Sequence, residues 1–150
     1  MTTSSASLNA TTTAPSRTPL LAALGIAAAA VLTAVGTFWD VNNNDAEPGK
    51  ASDWLICLGI IAVTAAIAYG LVVRTADTGN PGRRAVILGV VAFLSNAVFW
   101  AGLPMVLASA AAACAFVDKD ERGSFGGAAK AGLVLAVLTA IPAVQLAIFG

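Results

Sequence analysis

Residues 85–117 read AVILGVVAFLSNAVFWAGLPMVLASAAAACAFV, 33 positions without a charge. As one straight α-helix this run would be about 50 Å long, against a bilayer hydrocarbon core of roughly 30 Å, too large a mismatch for modest tilt to absorb. It must fold back. Near its middle stand Gly102 and Pro104, one suited to a tight reversal and the other pre-set for the first turn of a new helix. The spacing predicts a hairpin with arms 85–101 and 103–117.

Three further uncharged runs lie around it, 19–39, 54–73 and 131–150, of 21, 20 and 20 residues. Each is about 30 Å long as a helix and so reads as one transmembrane segment. Unbroken apolar runs such as 26–32 and 60–63 lack the alternation of a transmembrane β-strand. All eight basic and all eight acidic residues fall outside the four runs. Composition agrees, with 58% hydrophobic and 11% charged residues and a mean hydropathy of +0.84, whereas a soluble domain has about 25% charged residues. The sequence predicts an all-α, polytopic membrane protein. Its four apolar stretches form five transmembrane segments, 19–39, 54–73, 85–101, 103–117 and 131–150, in a single membrane domain.

Basic residues concentrate in short cytoplasmic loops. With the hairpin in place and the N-terminus inside, the cytoplasmic side carries Arg17, Arg74, Arg83, Arg84, Lys119, Arg122 and Lys130, and the outside carries Lys50 alone. A single crossing of 85–117 instead divides the same residues four against four and leaves no orientation signal. Tryptophan favours the headgroup level, and only the hairpin puts Trp39, Trp54 and Trp100 together at the outer interface. The expectation is a multi-pass protein of the cytoplasmic (inner) membrane with its N-terminus inside. Arms of 17 and 15 residues are short for a full crossing, so a re-entrant hairpin with the same sidedness stands as the alternative.

Residues 1–18, MTTSSASLNATTTAPSRT, are too polar to offset their ordering entropy and read as a disordered cytoplasmic tail. The 19–39 run is longer than a signal-peptide core and has one basic residue before it, which favours an uncleaved anchor. Asn9 opens a glycosylation-like triplet that matters only in a eukaryotic lumen.

Asp, Glu, Lys, Arg and His at membrane depth mark proton relays and ion paths, and the apolar runs contain none of them. The chain has no histidine, which removes the usual base of Ser and Cys catalysis and the commonest zinc ligand. These absences argue against an enzyme and against a proton-coupled transporter, and lead to an expectation of no catalytic, cofactor or metal site. Zero net charge without a basic patch argues against nucleic acid. Cys57 and Cys114 read as small buried hydrophobes. Among the polar residues in the runs, Ser95, Asn96 and Gln145 are the candidate intramembrane contacts, with Gln145 a candidate partner for Asn96.

Small residues recur every four positions at Gly25-Ala29, Ala62-Ala66-Gly70, Ala108-Ala112 and Gly132-Ala136-Ala140. Such stripes let helix backbones approach closely, and they are read as intramolecular packing faces, the last being the candidate packing stripe of the final helix. The outer loop, with Asp40, Asp45, Glu47 and Asp53, offers only a fragment of a calcium ligand set and reads as a solvated cap. The run DKDERGSFGG at 118–127 lacks the Lys-Ser or Lys-Thr pair of a phosphate loop and reads as a flexible linker.

From residue 83 to 150 the layout resembles a family of short bacterial integral membrane proteins of unknown function. The residues that carry the likeness are Gly89 within Ile87-Leu88-Gly89-Val90-Val91, the Gly102-Leu103-Pro104 turn, the charged cluster from Asp118 to Arg122, and Ala128-Ala129-Lys130-Ala131-Gly132-Leu133-Val134-Leu135. The resemblance implies a bacterial cytoplasmic membrane and no particular activity. The functional expectation is a structural or accessory role through helix-helix interaction, with the lipid bilayer, another membrane protein or a second copy as partner. The alternative is an oligomeric passive pore or transporter component lined by Ser95, Asn96 and Gln145.

Overall fold

A computed structural model describes residues 17–38, 50–76 and 79–149, apart from the side chains of Phe99, Trp100 and residues 147–149. Residues 1–16 of the expected tail, Trp39 and positions 40–49 lie outside the described residues, and so does the side chain of Trp100, while Thr18, the last residue of that tail, opens the first helix. Among the described residues every element is helical. The order is α1 (Thr18–Phe38), α2 (Ala51–Ile67) running on into a π-turn (Ala68–Val73), α3 (Pro81–Leu94), a 3-10 segment (Ser95–Ala101), α4 (Leu103–Arg122) and α5 (Gly127–Phe149).

The 85–117 run is two helices broken at Gly102. This glycine has a φ of 69°, a left-handed conformation that L side chains avoid. It is also crowded, since a Cβ there would lie 2.8 Å from Ile61 Cδ1 and 3.1 Å from Thr33 Cγ2. The first arm begins earlier than the sequence implied. Asn80 caps α3 by accepting from the Arg83 amide at 3.2 Å, with Pro81 opening the helix. The arm ends in a seven-residue 3-10 segment that kinks at Val98, where φ is −122° and ψ 43°. The second arm continues through the charged cluster and stops at Gly123, φ 73°. The 118–122 part of the supposed linker is therefore helix.

Successive helices alternate in direction. At one end, Arg17 lies 5.4 Å from the Phe116 ring centre, joining the start of α1 to the end of α4. There too the Arg84 guanidinium donates to the Val72 carbonyl at 2.9 Å, tying α3 to the close of the π-turn. At the other end, the Trp54 indole N–H donates to the Ala30 carbonyl at 3.4 Å, and Phe38 meets Trp54 edge to face at 6.0 Å. One end of the bundle thus collects Arg17, Arg74, Arg83, Arg84, Lys119, Arg122 and Lys130, and Lys50 begins α2 at the other.

Helix α4 packs on all four other helices. Its inner faces are almost entirely alanine, with Ala110, Ala111, Ala113, Cys114 and Ala115 buried. Small side chains bring the neighbours close. Where α5 crosses α3, a Cβ on Gly132 would fall 2.6 Å from the Ala85 backbone carbon, and one on Gly89 would fall 2.8 Å from Leu135 Cβ. Outward, large apolar side chains such as Leu20, Val31, Leu55, Ile56, Leu71 and Val134 are exposed. Three helices, Thr18–Phe38, Ala51–Val73 and Gly127–Leu146, are long and apolar enough to cross a membrane. An apolar surface of this extent points to a membrane protein.

Candidate functional site

Two places in the bundle gather side chains that do more than fill space: the basic end and a groove above it. At the basic end Asp118, 2% exposed, sits among the end of α4 and the starts of α3 and α5. Its Oδ2 accepts from the Gly126 amide at 3.0 Å, and its Oδ1 from Arg122 Nε at 2.9 Å. The Gly126 carbonyl accepts from the Lys130 amide at 3.0 Å, so Gly126 stands at the α5 N-terminus. A carboxylate there satisfies an orphan N–H and meets the positive end of the helix dipole. The approach demands small neighbours, because a Cβ on Gly126 would lie 2.8 Å from Oδ2 and one on Gly82 3.1 Å from Oδ1. The 118–127 stretch is therefore a clamp joining three helices, which corrects the expectation of a flexible linker.

Beside the clamp two aromatic rings carry two cations. Phe116 and Phe125 pack edge to face at 5.5 Å, with Arg17 on the first and the Lys119 ammonium 5.2 Å from the centre of the second. Both contacts are cation-π interactions, in which the cation keeps its charge without a carboxylate.

Above this cluster α1, α4 and α5 enclose an open apolar groove of about 390 Å³, lined by Leu24, Ala28, Ser109, Ala112, Leu133 and Ala140 among others. Its floor is fixed by one polar chain. The Tyr69 hydroxyl donates to Ser109 Oγ at 2.7 Å, and Ser109 donates to the Val106 carbonyl at 2.9 Å. Gly25 abuts Ser109 with no room for a side chain.

The polar residues singled out from the sequence do not converge. Ser95 Oγ donates to the Ala92 carbonyl at 2.7 Å and Asn96 Nδ2 to the Phe93 carbonyl at 3.1 Å, both within their own chain segment. Asn96 Oδ1 is buried without a hydrogen-bond partner, while Gln145 is exposed on α5. The stripes divide. Gly25 and Ala29 are buried, as are Gly132 and Ala136, and Ala140 is half-buried. On α2, however, Ala62, Ala66 and Gly70 are exposed, and the bundle is met instead by Ile61, Ala65 and Ala68. That stripe is not an intramolecular packing face, because the Tyr69–Ser109 bond and the seat of Ile61 against Gly102 turn it outward. Among the described residues no three His, Cys, Asp or Glu side chains gather as a metal site would require.

No family model matches the chain, and no curated protein or solved structure is significantly similar to it.

Proposed function

We propose that the protein is an integral membrane protein of a bacterial cytoplasmic membrane, crossing it five times with the N-terminus inside, and that it acts as a structural or accessory subunit through helix-helix association. The observation that carries the association is the outward face of α2. Gly59, Ala62, Ala66 and Gly70 form a shallow exposed track, and nothing of the chain's own lies within 4 Å of a Cβ built on either glycine. Tracks of small residues are where membrane helices approach closely enough for dispersion and weak hydrogen bonds to hold them.

Five crossings are supported by charge more than by length. The 14 residues of α3 reach about 21 Å before the 3-10 segment, which kinks at Val98, and the 20 residues of α4 reach about 30 Å with the charged turn 118–122 included. The seven basic residues at one end then lie on the cytoplasmic side. A non-catalytic role is supported by the chain's lack of histidine and of Asp, Glu, Lys and Arg in its apolar runs.

The test is the size and composition of the particle extracted in mild detergent. The Ala66→Leu and Gly70→Leu variants should fold as stably as wild type but lose its self-association or its co-purifying membrane protein. Ile60→Leu, exposed about 100° round α2 from Gly59, should keep it. Unchanged particles in all three would overturn the reading.

A further inference from the structure

The groove between α1, α4 and α5 and the cations beneath it have a common register. Two helical turns, seven residues, separate Arg17, the residue that precedes α1, from Leu24 on α1, Ala112 from Lys119 on α4, and Lys130 from Val137 on α5. Leu24, Ala112 and Val137 all line the groove. A seven-residue step returns a side chain to within about 20° of the same face and moves it about 10.5 Å along the axis. Each wall of the groove thus ends, at the basic end of the bundle, in a cation on the wall's own face.

These three cations differ from Arg122 and Arg84. Arg122 is paired with Asp118, and Arg84 is bound to the Val72 carbonyl and to Thr75. Arg17 and Lys119 rest on aromatic faces. No described carboxylate lies within ion-pairing distance of Arg17, Lys119 or Lys130. The acidic neighbours Asp120 and Glu121 leave α4 about 100° and 200° round from Lys119. An apolar slot with a cationic rim about 10 Å from its lining matches a molecule with an anionic head and a hydrocarbon tail.

We propose that this groove holds one acyl chain of an anionic phospholipid of the cytoplasmic leaflet, with its phosphate among Arg17, Lys119 and Lys130. The inference rests on the membrane reading above and adds a ligand class to it. Charge complementarity selects the lipid over a second copy of the chain, since the wall faces end in three cations and no acid. Phosphatidylcholine offers the same tail without net charge, and inorganic phosphate offers the charge without a tail. Only the anionic lipid engages both parts.

The experiment is thermal unfolding of the full-length protein, purified and delipidated in neutral detergent, titrated with phosphatidylglycerol, phosphatidylcholine or inorganic phosphate. Phosphatidylglycerol should raise the midpoint saturably, and the other two should leave it near its starting value. Each of Arg17→Gln, Lys119→Gln and Lys130→Gln should weaken the phosphatidylglycerol response about fivefold, the effect of one basic residue near an anionic surface. Ala112→Leu, which fills the slot and leaves all three cations, should weaken it as well. If such a variant fails to fold, Ala140→Leu tests the slot from another wall.

Equal responses to the two lipids, an equal response to phosphate, or a triple Gln variant that still responds like wild type would each overturn the proposal. Fractionation separates this from the broader reading. A chain released from membranes by alkaline carbonate refutes membrane integration itself, whereas an integral protein without lipid selectivity refutes only the groove assignment.

Discussion

Gly132 shows how one hydrogen-for-methyl exchange can reach the whole bundle. Its missing side chain lets α5 rest on the α3 backbone at Ala85, where a Cβ would find a carbon at 2.6 Å and an oxygen at 2.8 Å. Gly132→Ala should lower stability by about 1–3 kcal/mol through overpacking. Gly59→Ala, where nothing lies within 4 Å, should leave stability unchanged or slightly raised, because glycine is the poorer helix former. Unfolding midpoints of the two variants in detergent check the contrast, and equal losses would mean that α3 and α5 are not in backbone contact. Asp118 offers a second case. Asp118→Ala leaves the Gly126 amide without its acceptor and should cost about 1–2 kcal/mol, as losing an N-cap does. Asp118→Asn retains an acceptor and should recover most of that loss, since the Arg122 partner is 56% exposed and a bridge to so solvated a group contributes little. The matching readout is tryptic cleavage after Arg122, faster in the Ala variant than in the Asn variant.

Helix α4 is the element on which the others depend, and Gly102 sets where it begins. Gly102→Ala should be destabilising for two separable reasons: a positive φ, at about 1–2 kcal/mol, and contact with Ile61 Cδ1. Ile61→Val removes that atom and costs about 0.5–1.5 kcal/mol alone. The double variant should therefore lose less than the two singles added together, and strict additivity would mean the turn does not rest on α2. That reversal was legible in the sequence because no 33-residue apolar helix fits a bilayer and because glycine and proline punctuate chains for known steric reasons. The exact extent of the arms was not. Asn80 lies before two arginines and gives no apolar signal, and the cluster after Val117 resembles a loop by charge although Asp118 spaces four to Arg122 and eight to Gly126. Facing direction was the least legible property. On a lipid-exposed helix every side is apolar, so the spacing of Ala62, Ala66 and Gly70 matches that of Gly132, Ala136 and Ala140 while the first set points out and the second points in. Hydrophobic periodicity separates inside from outside only when the outside is water.

At the scale of the molecule, the alternating helices separate charge along one axis, with seven basic residues at one end and Lys50 at the other. Set in a bilayer under the five-crossing proposal, this asymmetry puts the basic end inside. Single cysteines in a Cys57→Ala, Cys114→Ala background give a direct readout. Ser52 and Ala97 are exposed at the end opposite the basic cluster, and Gly79 and Ser124 are exposed at the basic end. In intact cells an impermeant thiol reagent added outside should label cysteines at Ser52 and Ala97 and leave those at Gly79 and Ser124 unlabelled until the membrane is opened. The pair at Ala97 and Ser124 is the most informative, because only a chain that turns back at Gly102 and reaches the outer face puts these positions on opposite sides with this polarity. A re-entrant hairpin would protect Ala97 from both faces while Ser124 stayed inside. Labelling of Ser124 from outside would instead mean that α3 and α4 cross once as a unit, and the charge argument would fall with them.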